Sequence, residues 1–198
     1  HTNYTPILRT YIYLWYMKLK SLLSEATQYK IYCDMDGVLT DFSGDFIKLV
    51  KQLGEDDISE WDDVPNNAAA RYEKAHGAEA FWKVVEDGGL KFWSDMSWMP
   101  GGKKLWSYIS KLDTEILSAP SKRVLQTCMK GKKMWCSKLG SPKIHFRSAS
   151  KKREFANKNS ILIDDLKSNI SAWNASGGVG IHHKTTNSTI AQLKELGM

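Results

Sequence analysis

The sequence predicts an α/β fold, in which a parallel β-sheet is flanked by helices and a small helical subdomain is inserted after the first strand and helix. Three observations support this prediction. A short apolar run ends at two aspartates in D-M-D-G-V-L-T-D-F (34–42), and residues 55–100 show only short helical patterns. From Gly102 onward, short apolar runs alternate regularly with helical patterns. Such alternation is typical of parallel strands joined by right-handed crossovers.

The composition fits one domain with an insertion. The chain has 198 residues, of which 42% are hydrophobic and 11% aromatic, which is enough to bury a sizeable core. Its three cysteines are odd in number and show no metal-ligand spacing, so the sequence predicts no disulfide framework and fits a reduced, cytoplasmic setting. These cysteines are Cys33, Cys128 and Cys136.

The first 29 residues are predicted to be an N-terminal arm. The apolar stretch Y-I-Y-L-W-Y (11–16) is too short to span a membrane, and no small-residue cleavage site follows it. Met17 opens M-K-L-K-S-L-L-S-E-A, which resembles a natural start and suits an amphipathic helix over 18–26. We therefore expect residues 1–16 to be upstream sequence. The alternative, a native arm that packs its aromatic side chains on the domain, stays open.

The first strand and helix follow from two apolar patterns. The run at 31–33 predicts a short buried strand, and the helical spacing of apolar residues over 42–53 predicts a helix that Gly54 ends. The next segment is rich in acids, is punctuated by proline and glycine, and contains four tryptophans. We predict that it forms a helical cap. The predicted division is an arm at 1–29, a core at 30–54 and 101–198, and a cap at 55–100.

The rest of the chain alternates strands and helices. Strands are predicted at 115–117, 143–146, 160–163 and 178–181. Helices are predicted near 103–112, within 122–139, at 151–156, near 167–173 and near 188–196. Because ligands bind at the carboxyl ends of the strands in such sheets, these ends are where a functional site is expected.

Acidic, hydroxyl and lysine side chains follow the predicted strands. They are Asp34 and Asp36, Ser118, Lys151 and Lys152, and Asp164 and Asp165. Clustered carboxylates repel one another unless a cation joins them, and an all-oxygen site suits Mg²⁺ shared with a phosphate. A lysine and a hydroxyl bind phosphoryl oxygens, one carboxylate can act as nucleophile, and a second can act as general acid and base. The pattern therefore favours phosphoryl chemistry.

The motifs D-M-D-G-V-L-T-D-F, S-A-P-S (118–121), a downstream lysine and I-L-I-D-D (161–165) together resemble the haloacid dehalogenase-like (HAD) superfamily of phosphohydrolases. Within it, the sequence is most similar to the 5'(3')-deoxyribonucleotidase branch and to similar small proteins of bacteria and bacteriophages. The resemblance covers about residues 30–183. It implies a Rossmann-like core with a small helical cap, and Mg²⁺ as cofactor.

The resemblance also implies a role for each acid. Asp34 is the expected nucleophile and a metal ligand, and Asp36 is the expected general acid and base, with its backbone carbonyl on the metal. Ser118 is expected to bind the phosphoryl group. Asp165, and Asp164 through a water molecule, are expected to complete the Mg²⁺ site.

The phosphate-binding lysine of the family has three candidates here. Lys151, Lys152 and Arg153 all precede the I-L-I-D-D strand at a suitable distance. The spacing to Phe155 and Ala156 resembles the K-x-x-[YF]-A of such proteins, which favours Lys152. Lys151 is kept as the alternative.

Aromatic residues are the expected substrate contacts. The resemblance places Phe42, eight residues after Asp34, in a base pocket. Cap aromatics, including Trp82 and Trp93, could stack on a base. For each cap aromatic taken alone, packing in the core of the subdomain is the favoured interpretation.

These features predict a Mg²⁺-dependent phosphomonoesterase that hydrolyses nucleoside monophosphates through an aspartyl-phosphate. Asp36 favours phosphoester hydrolysis within the superfamily. The net charge is +6, and residues 122–158 contain twelve Lys/Arg and one acid. This block could be a solvated face, a phosphate-attracting rim or a nucleic-acid patch, and it motivates an alternative function as a polynucleotide 3'-phosphatase. A third hypothesis is a non-enzymatic HAD-fold binding or structural module. No membrane partner is predicted, and the sequence does not indicate the oligomeric state.

Overall fold

The structure is a computed structural model that describes residues 11–15, 29–54 and 68–198. The predicted helix at 18–26 and the first part of the predicted cap lie outside the described residues. The strands are β1 (Lys30–Cys33), β2 (Thr114–Ser118), β3 (Ile144–Phe146), β4 (Ser160–Asp164) and β5 (Val179–His182). The helices are α1 (Phe42–Gln52), α2 (Ala68–Ser94), α3 (Gly102–Ile109), α4 (Leu125–Ser137), α5 (Lys167–Ala175) and α6 (Thr186–Glu195), with a 3₁₀ helix over Ala149–Phe155.

The strands form one parallel sheet in the order β3-β2-β1-β4-β5. The chain runs outward from β1 through β2 to β3 and then crosses back to β4 and β5 on the other side of β1. The direction reverses between β1 and β4, and in open α/β sheets ligands bind at the carboxyl ends of the strands beside such a point. The predicted α/β class, with a parallel sheet flanked by helices, is confirmed.

Both faces of the sheet are covered, as near-continuous apolar strands require. Every residue of β4 is buried. On one face Ile31 and Cys33 join the main core, and on the other Tyr32 and Leu162 pack with Trp173 of α5. The sheet edge that carries the polar loops is therefore held between two apolar layers.

The described part of the predicted cap is α2, which packs on α1. Its φ and ψ angles are non-helical at Gly77 and Gly89, so it bends at both positions. Its aromatic rings meet Phe46 of α1, with centroid distances of 4.6 Å to Phe81 and 5.2 Å to Tyr72. Most large aromatic side chains of α2 therefore fill the core. The division into arm, core and cap stays a prediction.

The loop after β1 is tied to the segment that follows α2. The backbone N–H of Asp41 donates to the carbonyl of Ser97 at 2.9 Å, and that of Met99 donates to the carbonyl of Leu39 at 2.9 Å. The side chain of Asp41 also caps α1, because its Oδ1 accepts from the N–H of Gly44 at 2.9 Å. These bonds hold the loop that carries the first two aspartates.

Element boundaries differ from the predictions by a few residues. The helix predicted near 188–196 begins at Thr186, because the Thr185 side chain accepts from the N–H of Ser188 and caps it there. The segment predicted as a helix at 151–156 is a 3₁₀ helix that begins at Ala149. Strands β2 and β4 each extend to the polar residue at their carboxyl end.

Residues 11–15 form a short helical segment whose five side chains are 52–69% exposed. The two interpretations of the arm, upstream sequence or a native arm packed on the domain, both stay predictions. Among the helices that the structure describes, none is long and apolar enough to cross a membrane.

Candidate active site

Three carboxylates meet at the carboxyl ends of β1 and β4. These strands are neighbours, with Cys33 paired with Ile163, so the residues that follow them lie side by side. Asp34, Asp164 and Asp165 each offer an oxygen atom, and these atoms all lie within 4.8 Å of one another. Asp34 and Asp164 are buried. The sheet thus brings together acids that stand about 130 residues apart in the sequence.

Gly37 allows the loop after β1 to approach Asp165. Its φ is +77°, a conformation that glycine adopts without steric cost. A Cβ at this position would lie 2.3 Å from Oδ2 of Asp165. The glycine of D-M-D-G is therefore needed both for the turn and for the space beside the acid.

Lys152 lies between two of these acids. Its Nζ is 2.8 Å from Oδ2 of Asp34 and 2.7 Å from Oδ2 of Asp164, and only 2% of the residue is exposed. Burial lowers the pKa of Lys152, but the two carboxylates outweigh burial and raise it overall. The neighbouring Lys151 and Arg153 are exposed. Of the three candidate cations, the fold places Lys152 in the site.

Asp164 is held by protein groups on both oxygens. Besides Lys152, it accepts from the N–H of Leu166 at 2.9 Å and from Nδ2 of Asn169, which is 3.0 Å from each oxygen. Among the described residues, no other side chain donates a hydrogen bond to the carboxylate of Asp165. Asp34 accepts from the N–H of Met35 at 2.8 Å. The predictions did not include Asn169, because the local sequence around an asparagine in the first turn of a helix does not indicate which carboxylate it contacts.

The acids raise one another's pKa. Burial raises the pKa of Asp34 to about 6, although Lys152 opposes the shift, and Asp164 and Asp36 add to it. Burial also raises the pKa of Asp165 to about 7, with further contributions from Asp34 and Asp164. The cluster therefore binds protons near neutral pH unless another cation replaces them.

Asp36 and Ser118 meet at a second buried lysine, which the predictions did not include. Nζ of Lys132, on α4, lies 2.6 Å from Oδ2 of Asp36, 2.8 Å from Oγ of Ser118 and 3.1 Å from the carbonyl of Ala119. The other oxygen of Asp36 accepts from Oγ1 of Thr40 at 3.0 Å. Burial lowers the pKa of Lys132, but Asp36 outweighs burial and raises it overall.

A sequence signal for Lys132 exists. It shares one face of α4 with Cys128, Trp135 and Cys136, which are all buried. A lysine in phase with apolar residues on a helix is a candidate for a buried partner of an acid. The surrounding basic residues obscure this signal.

Two predicted aromatics lie near this second lysine. Nζ of Lys132 is 5.4 Å from the ring centroid of Trp93, and that ring is 5.8 Å from the ring of Phe42. Nε1 of Trp93 is buried and has no hydrogen-bond partner among the described residues. Trp82 is half-buried and contacts the ring of Phe81 at 5.0 Å, and no described contact joins it to the acids.

The charges of the site fit a divalent cation. Four carboxylates (Asp34, Asp36, Asp164, Asp165) and two ammonium groups (Lys132, Lys152) give a formal charge of −2. A set of carboxylate oxygen ligands suits Mg²⁺. These carboxylate donors therefore fit the metal that the motifs imply.

Comparison with solved structures finds the same fold. A haloacid dehalogenase-like family hydrolase from Xanthomonas campestris has a TM-score of 0.53 and 13% identity, covering 86% of this chain and 92% of that one. A HAD family hydrolase from Deinococcus radiodurans R1 with bound phosphate and sodium has a TM-score of 0.47 and 15% identity, covering 86% and 89%. A hydrolase from Streptococcus pneumoniae TIGR4 has a TM-score of 0.46 and 16% identity, covering 85% and 98%.

No protein-family model matches the chain, and comparison with curated proteins finds no similar sequence. The structural likeness to the Xanthomonas protein therefore carries the comparison. At this level of identity it shows only that the chain shares the fold of that haloacid dehalogenase-like hydrolase.

Proposed function

We propose that this protein is a Mg²⁺-dependent phosphomonoesterase that hydrolyses nucleoside monophosphates through an aspartyl-phosphate. The observation that carries the proposal is the separate placement of two acids from one motif. Asp34 lies with Asp164, Asp165 and Lys152, whereas Asp36 lies with Ser118 and Lys132. One environment suits a nucleophile beside a metal, and the other suits an acid beside a leaving group.

The metal would be held by the carboxylates of Asp34 and Asp165 and by the backbone carbonyl of Asp36, with Asp164 contributing through a water molecule. The protein already uses both oxygens of Asp164 for Lys152, Leu166 and Asn169. This supports an indirect contact for that acid. When bound, Mg²⁺ neutralises carboxylate charge and draws phosphoryl oxygens toward the nucleophile.

In the first step, a carboxylate oxygen of Asp34 forms a bond to phosphorus while the bond from phosphorus to the leaving oxygen breaks. Asp36 gives a proton to that oxygen. To do so, Asp36 must leave its hydrogen bond with Lys132 and contact the substrate. In the second step, Asp36 takes a proton from a water molecule, which attacks the aspartyl-phosphate and releases phosphate and free Asp34. Lys152 and Ser118 bind phosphoryl oxygens in both steps.

A nucleoside as leaving group is supported by the aromatic residues beside Asp36. Phe42 and Trp93 lie next to each other, and Lys132 connects Trp93 to the acid. Flat aromatic faces stack on bases, and a buried indole N–H without a partner can donate to an acceptor on the substrate. Trp82 remains a predicted substrate contact that no described contact to the site supports.

The alternative function, a polynucleotide 3'-phosphatase, is favoured by the surface charge. Of the twelve Lys/Arg in residues 122–158, Lys132 and Lys152 are buried in the site and the other ten are exposed. An exposed cationic surface next to a phosphate site attracts nucleic acid through counterion release. The exposed residues are Lys122, Arg123, Lys130, Lys133, Lys138, Lys143, Arg147, Lys151, Arg153 and Lys158.

The test is phosphate release with Mg²⁺ from a panel of deoxynucleoside 5'- and 3'-monophosphates, ribonucleotides and a 3'-phosphorylated oligonucleotide. Asp34→Asn is the blank. Release from monophosphates that is lost in Asp34→Asn supports the proposed function, and release from the oligonucleotide alone supports the alternative. Folded protein that releases phosphate from nothing, and whose melting temperature ignores Mg²⁺, would favour the non-enzymatic module.

A further inference from the structure

We propose that Lys132 is a second phosphoryl-binding cation of this site, which takes one oxygen of the phosphoryl group together with the hydroxyl of Ser118. This inference rests on the proposed function and deepens it. The family resemblance accounts for one lysine, Lys152, and assigns no role to a lysine on α4.

The ammonium of Lys132 is fully buried and has a single carboxylate partner among the residues that the structure describes. Its three hydrogen bonds go to Asp36, Ser118 and the carbonyl of Ala119. Lys152, by contrast, is paired with two carboxylates. Fewer fixed negative groups therefore oppose an incoming phosphoryl oxygen at Lys132 than at Lys152.

The hydroxyl of Ser118 completes the argument. It accepts a hydrogen bond from Lys132, so its own proton is available to a second partner. Ser118 is fully buried, and the described residues provide no acceptor for that proton. An oxygen of a phosphoryl group placed there would accept from the hydroxyl, and it would accept from the ammonium in place of Asp36.

The packing of α4 against α2 determines the position of Lys132. A Cβ at Gly131 would lie 2.3 Å from Cβ of Trp93 and 3.2 Å from the carbonyl of Leu90. The glycine therefore lets the two helices approach closely, and the next residue is buried beneath the indole ring of Trp93, with Nζ 5.4 Å from its centroid. Lys132 is thus a fixed part of the site, whereas the adjacent Lys133 is exposed.

The test measures binding of inorganic phosphate in Mg²⁺ by isothermal titration calorimetry, on the whole chain. Lys132→Met is compared with Lys133→Met, which removes a charge one residue away on the exposed face. Loss of a charge-assisted hydrogen bond predicts binding about tenfold to a hundredfold weaker in Lys132→Met, and unchanged binding in Lys133→Met. Equal affinities for Lys132→Met and wild type would overturn the inference, as would wild-type protein that binds no phosphate.

A second pair of variants keeps the inference testable if Lys132→Met does not fold. Lys132→Met leaves Asp36 without its partner, so a second comparison is made in an Asp36→Asn background, in which removing Lys132 leaves no carboxylate of this ion pair behind. Lys132→Met/Asp36→Asn should bind phosphate more weakly than Asp36→Asn alone, and equal binding would overturn the inference. Because binding is measured and not turnover, phosphate binding that depends on Lys132 supports the inference even if no ester is hydrolysed and the proposed function fails.

Discussion

Gly37 lies so close to Asp165 that a Cβ on the glycine would stand 2.3 Å from the carboxylate oxygen Oδ2. One residue is in the loop after β1 and the other follows β4. Their approach is what closes the acid cluster on one side. It ties the first motif of the sequence to the last one through van der Waals contact.

Gly37→Ala should therefore disrupt the cluster. The added methyl group must displace Asp165, and alanine at φ +77° is strained by about 1–2 kcal/mol. We expect a lower free energy of unfolding in urea and a loss of the Mg²⁺-dependent rise in melting temperature. Gly140→Ala is the matched control, because Gly140 has φ +84° and nothing within 4 Å of the added atom. If both variants lost stability equally and kept the Mg²⁺ effect, the contact with Asp165 would have no role.

Lys152→Met should be strongly destabilising, and Lys151→Met should not. Removing Lys152 leaves Asp34 and Asp164 without a buried cation, which typically costs about 3–5 kcal/mol. Lys151 is exposed, and a surface substitution of this kind changes stability by about 0.5 kcal/mol or less. Urea denaturation of both variants without metal measures the difference. Similar unfolding free energies for the two variants would contradict this placement of the motif lysine.

The metal-free protein should lose stability as the pH rises from about 4 to about 7. The pKa of Asp34 is raised from 3.8 to about 6 and that of Asp165 from 3.8 to about 7, so the folded state keeps protons that the unfolded state releases. Stability from these groups is fully present below the unfolded value and is lost as the pH passes through the folded value. Melting temperatures in a chelator across this range measure the loss.

Mg²⁺ should reverse much of that loss, because the cation replaces the protons and binds more tightly as they leave. The rise in melting temperature on adding Mg²⁺ should therefore grow between pH 5 and pH 8. In Asp165→Asn the pH dependence without metal should be smaller. A Mg²⁺ effect that stayed constant across this range would count against a metal at these carboxylates.

Trp93→Phe should weaken nucleotide binding and lower stability only through the space that the smaller buried ring leaves. Its Nε1 has no partner among the described residues, so its loss breaks no internal hydrogen bond while the ring remains. We expect a several-fold higher KM for nucleoside monophosphates. Trp135→Phe is the opposite case, because Nε1 of Trp135 donates to the carbonyl of Met96 at 2.7 Å in the core.

For Trp135→Phe we expect a loss of about 1–3 kcal/mol in the free energy of unfolding, since a buried acceptor is left unpaired, and an unchanged KM. Steady-state kinetics and urea denaturation on both variants separate the two roles. An unchanged KM in Trp93→Phe would remove this residue from the substrate contacts.

Salt should distinguish the two candidate substrates. Several exposed lysines and arginines on a polynucleotide release counterions, so kcat/KM on a 3'-phosphorylated oligonucleotide should fall steeply with added KCl. A mononucleotide makes few such contacts, and its kcat/KM should change little. Salt-insensitive hydrolysis of the oligonucleotide would show that the basic residues of 122–158 do not bind its backbone.

The sequence by itself was enough for the fold class, and it predicted that four acids would meet at the ends of the strands. Alternating apolar runs and helical patterns are local signals, and the order of elements with parallel crossovers then restricts the topology. Asp34 and Asp36 directly follow one strand and Asp164 and Asp165 end another, so the carboxyl ends of neighbouring strands had to bring them close. The structure shows three of these acids together, as that logic requires.

The tertiary structure alone decided which lysines serve those acids. Lys151 and Lys152 differ by one position, and the orientation of a 3₁₀ helix on the sheet determines which is buried. Lys132 reaches Asp36 because Gly131 lets α4 approach α2. The contact that allows this approach joins Gly131 to Trp93, which is nearly forty positions earlier in the sequence. Local sequence patterns report what a residue's own element does. Which side chain fills the space between two elements depends on packing distances that no local pattern contains.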